Sequence, residues 1–178
     1  MNCSSLVSVD IPDPVVYIGA RAFQNCSHLR YVNIPKSMYG IERKTFFGCG
    51  DLESVFIGDN IVSIGDDAFE NCCSLRNVRM TNNLVGIYCG AFAGCTSLTD
   101  MRMPEGGAFS RFGRAFTGCT NLSAINIPET VRFMDYSAFS GCKLKRVEIS
   151  AGKMEQFRDR FKLYNYYRSV DPTIYDDF

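Results

Sequence analysis

The sequence predicts an α/β repeat solenoid, and three ladders of evenly spaced residues predict it. Cysteines recur at Cys3, Cys26, Cys49, Cys72, Cys95, Cys119 and Cys142, with gaps of 23, 23, 23, 23, 24 and 23 residues. A leucine stands three positions after nearly every one: Leu6, Leu29, Leu52, Leu75, Leu98 and Leu122. The last coil is one residue tighter, with only Lys143 between Cys142 and Leu144. Phenylalanines precede the cysteines by three, at Phe23, Phe46, Phe69, Phe92, Phe116 and Phe139. One period shared by several residue types marks a stack of identical supersecondary units.

Each unit of about seven coils can be justified in order. Leu29 enters a short strand, LRYVNI, in which Val32 and Ile34 lie two apart on one face. Proline then ends the strand, as at Pro12, Pro35, Pro104 and Pro128, because it cannot donate to a ladder. A looser stretch follows, expected as turns and loops, carrying Ile18, Ile41, Ile64 and Ile87, with Phe112 and Met134 as equivalents. Next comes a short Ala-Phe turn. Two residues beyond its phenylalanine stands Asn25, Gly48, Asn71, Gly94, Gly118 or Gly141, the residue types that best tolerate positive φ. A left-handed corner is expected there, with the cysteine as a small apolar filler inside it. The coil between Cys95 and Cys119 carries one extra residue, which predicts a bulge near Glu105-Gly106-Gly107. No coil can bury its own leucine, isoleucine and phenylalanine, so equivalent residues must meet as internal columns.

The pattern F-x-[GN]-C-x-x-L-x-x-V-x-I-P, preceded by Ile-Gly-x-x-Ala-Phe, resembles the BspA-like class of leucine-rich repeats. Ile18 through Pro35 and Ile64 through Leu75 carry it. The resemblance covers about residues 1–150. It implies a right-handed leucine-rich-repeat stack with a parallel sheet on the concave face and short turns on the convex side. It also implies a cell-surface or secreted protein, linked with adhesion to matrix proteins or other cells, and offers no catalytic motif to carry over. The chain begins in mid-repeat without an N-terminal cap, so the first coil is expected to pair with a preceding segment or another chain. Residues 151–170 break the repeat; Met154, Phe157, Phe161 and Tyr164 fall at helical spacing behind Ser150 as N-cap, which predicts a capping helix. Residues 171–178 read as a loosely held tail.

The totals agree with a non-catalytic binding module. In 178 residues, 19 basic side chains balance 19 acidic ones, so no net field attracts nucleic acid or an anionic membrane. No apolar run approaches the roughly 20 residues that span a bilayer. No charged-then-apolar leader follows Met1, which leaves a cytoplasmic location open beside the surface one. The cysteine ladder reads as a structural column; a disulfide framework would leave an odd thiol, and no Cys-x-x-Cys offers zinc ligands. Cys89 occupies a slot held elsewhere by Ala20, Arg43 and Asp66, and is expected at the surface. His28, Glu42, Asp66, Asp67 and Asp135 fall in variable slots with no acid-base pairing, so neither catalytic residue nor cofactor is expected.

Function is therefore expected on the outward strand positions. These form three columns: Val7, Arg30, Glu53, Arg76, Thr99, Ser123, Lys145; Ser8, Tyr31, Ser54, Asn77, Asp100, Ala124, Arg146; and Asp10, Asn33, Phe56, Arg79, Arg102, Asn126, Glu148. Tyr31, Phe56, Arg76, Arg79 and Arg102 form the candidate patch, because aromatic residues beside arginine have the composition of interface hot spots. The expected partner is a protein or glycan. A structural or self-associating scaffold element is the alternative.

Overall fold

A computed structural model of the chain describes residues 3–80, 82–105, 111–135, 137–150 and 173–177. A first ladder of parallel strands comprises β1 (Ser8–Val9), β2 (Tyr31–Val32), β4 (Ser54–Phe56), β6 (Asn77–Arg79), β8 (Asp100–Met101), β10 (Ala124–Ile127) and β12 (Arg146–Ser150), paired in three sheets, β1–β2, β4–β6 and β8–β10–β12. Its register follows the repeat: Ser8 pairs Tyr31, Ser54 pairs Asn77, Asp100 pairs Ala124, and Ala124 pairs Arg146. Equivalent residues are therefore stacked directly on one another.

A second parallel ladder occupies the stretch expected as turns and loops. It consists of β3 (Gly40–Ile41), β5 (Ser63–Ile64), β7 (Gly86–Ile87), β9 (Arg111–Phe112) and β11 (Phe133–Met134), paired in two sheets, β3–β5–β7 and β9–β11. Ile41 pairs Ile64, and Ile64 pairs Ile87. Tyr39, Val62 and Val85 are exposed while Ile41, Ile64 and Ile87, two residues on, are buried, so these short runs lack the alternation that marks a strand. The described residues contain no helix, so the α/β label gives way to a parallel-strand β-solenoid of leucine-rich-repeat type. With two strands and two corners in about 23 residues, no coil has length left for a helix of ordinary size.

The third line of coil-to-coil bonding is the corner itself. Along residues 21–26, N–H groups alternate in direction. Those of Ala22, Gln24 and Cys26 bond three residues back, to Gly19, Arg21 and Phe23. Those of Arg21, Phe23 and Asn25 reach the next coil's Arg43, Thr45 and Phe47 carbonyls at 3.0, 2.9 and 2.7 Å. Such alternation requires left-handed residues, and all six expected positions have positive φ, from 58° at Asn25 to 90° at Gly141. A second left-handed position precedes each of the first four phenylalanines by two, at Arg21, Lys44, Asp67 and Gly90. Sequence reasoning missed it because three of the four are not glycine. Arg21, Lys44 and Asp67 each cost about 1–2 kcal/mol of backbone strain, offset by inter-coil hydrogen bonds from their N–H groups to the carbonyls of Arg43, Asp66 and Cys89.

Inside the corner, the phenylalanine rings of successive coils stack with centroids 5.3–5.8 Å apart and planes within 4–9° of parallel. Leu29, Leu52, Leu75, Leu98 and Leu122 are wholly buried beside them. The cysteines from Cys26 to Cys142 are buried free thiols, whereas Cys3, expected in the same column, is exposed together with Cys73 and Cys89. Cysteine proves to be more than a filler. Cys49, Cys72, Cys95, Cys119 and Cys142 each donate Sγ–H to the phenylalanine carbonyl of the preceding coil, at 3.0–3.2 Å. The Phe46 carbonyl thus accepts from Cys49 N–H in its own coil and Cys72 Sγ in the next. Burial pushes the Cys49 thiol from its ordinary 9.0 up to about 12 and holds Cys72 and Cys95 well above 9.0.

Over the first four coils, from Asn25 to Gly94, asparagine and glycine alternate at the corner for a steric reason. A Cβ on Gly48 would strike Asn25 Oδ1 of the preceding coil, and one on Gly94 would strike Asn71 Oδ1. An asparagine therefore demands glycine in the coil that follows.

At the C-terminal end the reading of residues 171–178 as a tail is corrected. Thr173–Asp177 forms β13, parallel to β12, with Arg146 paired to Thr173 and Ser150 to Asp177. Its offset from β12 exceeds one ordinary repeat, which hid it from the period. The expected helix over 151–170 and the bulge at Gly106-Gly107 lie outside the described residues.

Two predictions follow from the corner. Gly94→Ala should lower unfolding free energy by about 2–3 kcal/mol in denaturant melts, from φ strain plus the Asn71 clash. In an Asn71→Gly background the loss should shrink to about 1–2 kcal/mol; an equal loss in both would refute the steric rule. Thiols held neutral by burial stabilise the fold fully below their unfolded value of 9.0, and that contribution disappears as pH rises towards about 12. Melting temperature should fall across that range, and fall less in Cys49→Ala; identical slopes would contradict it.

Candidate functional site

The face of the first ladder carries the candidate patch, and alternation along the strands creates it. In β4, Val55 points into the core at 4% exposure while Phe56 stands out at 49%. Parallel register sets Phe56 beside Arg79, whose guanidinium lies 5.7 Å from the ring centroid. That separation suits a cation–π contact. Arg76, Arg79 and Arg102 line one shallow groove of about 440 Å³ together with Asn77, Thr99 and Asp100. Among the described residues, neither Arg76 nor Arg79 has a carboxylate within ion-pair distance.

The five predicted residues do not form one uniform cluster. Tyr31 lies two coils from Arg79 and belongs to a separate group. Its hydroxyl donates to Glu53 Oε2 at 3.4 Å, and Arg30 lies 5.5 Å from its ring centroid. Arg30 also donates Nε–H to Glu53 Oε1 at 2.9 Å, and its Nη2 pairs with the same oxygen. The Arg30 guanidinium holds the Glu53 carboxyl below its usual range. Arg102 is drawn the other way. Its Nη1 donates to Glu148 Oε2 at 2.8 Å, two coils on, and Arg146 Nη2 meets Glu148 Oε1 at 2.5 Å. The centre of the face is therefore Phe56, Arg76 and Arg79.

Two outward assignments need correction. Asn126 and Glu148 were placed on the solvent side, but they are only 7% and 9% exposed. Asn126 turns towards the preceding coil, accepting from Met103 N–H at 2.6 Å and donating to Met103 O at 2.8 Å. Asn33 makes the same double contact with Ile11, at 2.8 and 3.1 Å. Both partners precede prolines, Pro12 and Pro104, where the backbone ladder loses a donor. The side-chain amide replaces that rung. The Asn-Ile-Pro triplets at 33–35 and 126–128 were the available signal.

His28 is exposed, and its Nδ1 lies 2.6 Å from the Ser4 carbonyl of the coil before. Among the described residues, no helix is long and apolar enough to cross a membrane.

The model of the BspA type leucine-rich repeat region matches residues 1–112 and 112–171, in six copies. The chain belongs to the BspA-type leucine-rich-repeat family. A leucine-rich-repeat protein of T. pallidum is 31% identical over 80% of this chain and 67% of its own, with a TM-score of 0.72. A leucine-rich-repeat protein from Eubacterium ventriosum is 20% identical over 78% of this chain and 43% of its own, with a TM-score of 0.54, and shares the fold. One from Bacteroides ovatus is 23% identical over 97% of this chain and 66% of its own, with a TM-score of 0.48. The chain thus spans about two thirds or less of these relatives. No curated protein gives a significant match. BspA-type membership is consistent with a binding or scaffold role.

Proposed function

We propose that the chain is a non-catalytic binding module that grips an acidic segment of a protein ligand with the outer face of its first ladder. The observation that carries this reading is the pairing of half-exposed Phe56 with Arg79, beside Arg76, at the middle of a rigid sheet. An aromatic ring beside arginine has the composition of an interface hot spot. Two guanidiniums that, among the described residues, have no carboxylate within ion-pair distance suit a carboxylate brought by the ligand, and arginine takes such groups bidentately. The stacked coils hold these side chains in place before binding, which limits the ordering cost.

The test measures binding of the chain to a panel of matrix proteins by biolayer interferometry, with Phe56→Ala/Arg76→Ala/Arg79→Ala for comparison. The substitutions lie on the surface and should leave the melting temperature nearly unchanged. Affinity should drop by at least about 100-fold and weaken with added salt. Equal affinity of the two chains for every bound protein would overturn the assignment.

A further inference from the structure

The second ladder has an outer face of its own, and it differs from the first. Val16, Tyr39, Val62 and Val85 occupy the same slot in four successive coils and are 59, 67, 41 and 52% exposed. Beside them, on the next slot, stand Tyr17, Gly40, Ser63 and Gly86, and beyond the buried isoleucines stand Gly19, Glu42, Gly65 and Tyr88. Over these coils Glu42 is the only charge in those three slots. The equivalent three columns of the first face, over the same coils, carry Asp10, Arg30, Glu53, Arg76 and Arg79.

Where charge returns, the face opens into a cleft of about 880 Å³. Its shape follows from the residues around Tyr88. Gly65 takes the Tyr88 slot in the coil before, which leaves the ring room on that side, while Gly113 of the coil after lies against Cys89, whose Cα an added Cβ would meet at 3.6 Å. The ring lies along Gly86, where an added Cβ would meet its carbons at 3.5 Å. One side of the ring is thus backed by main chain, and Tyr88 stays 55% exposed.

The polar wall carries both acceptors and a donor. Asp66 Oδ1 is fixed by Cys89 N–H at 3.1 Å, and Asp135 Oδ1 by the N–H and hydroxyl of Ser137 at 2.8 and 2.6 Å. Arg114 lines the same cleft. Two carboxylates disfavour an anion, and the guanidinium disfavours a simple cation. What matches a flat aromatic surface bordered by fixed acceptors and a donor is a neutral polyhydroxylated ring. Its C–H face covers the tyrosine, and each hydroxyl both donates and accepts. The cleft volume lies within the range of small-ligand sites.

We infer that this cleft is a second binding site, separate from the arginine face, and that it takes a neutral oligosaccharide with one sugar ring laid on Tyr88. The uncharged row Val85, Val62, Tyr39 and Val16 would carry the adjoining sugars along the stack.

Isothermal titration of the full chain with maltohexaose, cellohexaose, mannohexaose and chitohexaose tests this. At least one should bind, and Tyr88→Ala and Asp66→Asn should each weaken it by about tenfold or more, with unchanged circular dichroism and melting. A second readout uses Cys89, which lines the cleft. In a Cys3→Ser/Cys73→Ser background, the bound sugar should slow alkylation of Cys89. Absence of binding by all four sugars up to their solubility limits would overturn the inference. So would full binding by Tyr88→Ala, or unprotected Cys89 at saturation. A response only to a hydrophobic peptide control would reassign the face to protein docking and likewise overturn it.

Discussion

The phenylalanine carbonyl at each corner is where one coil is fastened to the next. It accepts the cysteine N–H that closes its own turn and the cysteine Sγ–H that arrives from the following coil. Directly beside it, the phenylalanine ring lies on its equivalent at 5.3–5.8 Å. Both contacts join a residue to its own counterpart, so each fixes the stagger of the stack at a single value. Backbone rungs are common to every residue and do not by themselves choose a register, so the buried side chains of the strands and the corner contacts set it. A coil displaced by one residue would bury a left-handed asparagine where a thiol is needed and leave a ring without its neighbour.

That dependence explains how much could be read in advance. Cys49, Leu52 and Phe46 repeat because each must touch its own copy, and contact between copies forces identity at a fixed period. The first ladder, the core columns and the left-handed asparagine-glycine corner were legible for this reason. Arg21, Lys44 and Asp67 were not, since their positive φ comes from the direction of an N–H towards the next coil and leaves the side chain unconstrained. The second ladder was not legible: Val62 is exposed and Ile64, two residues on, is buried, and two-residue strands such as Gly40–Ile41 and Gly86–Ile87 give too short a run to separate from a loop. β13 pairs at an offset outside the repeat, and a period search cannot see it.

The sites follow the opposite rule. Slots that do not touch their own copies are free to vary, and recognition accumulates there. Phe56, Arg76, Arg79 and Arg102 were legible as a composition, while their division was not. Glu148, two coils away, decides that Arg102 serves the C-terminal end of the face, and no local pattern announces a contact of that span. Asn126 shows a second limit: it sits in an outward column yet turns inward to replace the rung lost at Pro104. The cleft around Tyr88 is lined in part by residues that lack side chains, Gly86 and Gly113, and no conspicuous group announces it.

Contact between equivalent side chains is most directly measured by a double-mutant cycle on the ring stack. Phe69→Leu and Phe92→Leu, singly and together, should show a coupling free energy of about 0.5–1.5 kcal/mol in equilibrium unfolding. Phe69→Leu with Phe139→Leu, three coils apart, should be additive within about 0.5 kcal/mol. Additivity in the neighbouring pair, or equal coupling in both, would contradict a stack built by residues meeting their own copies.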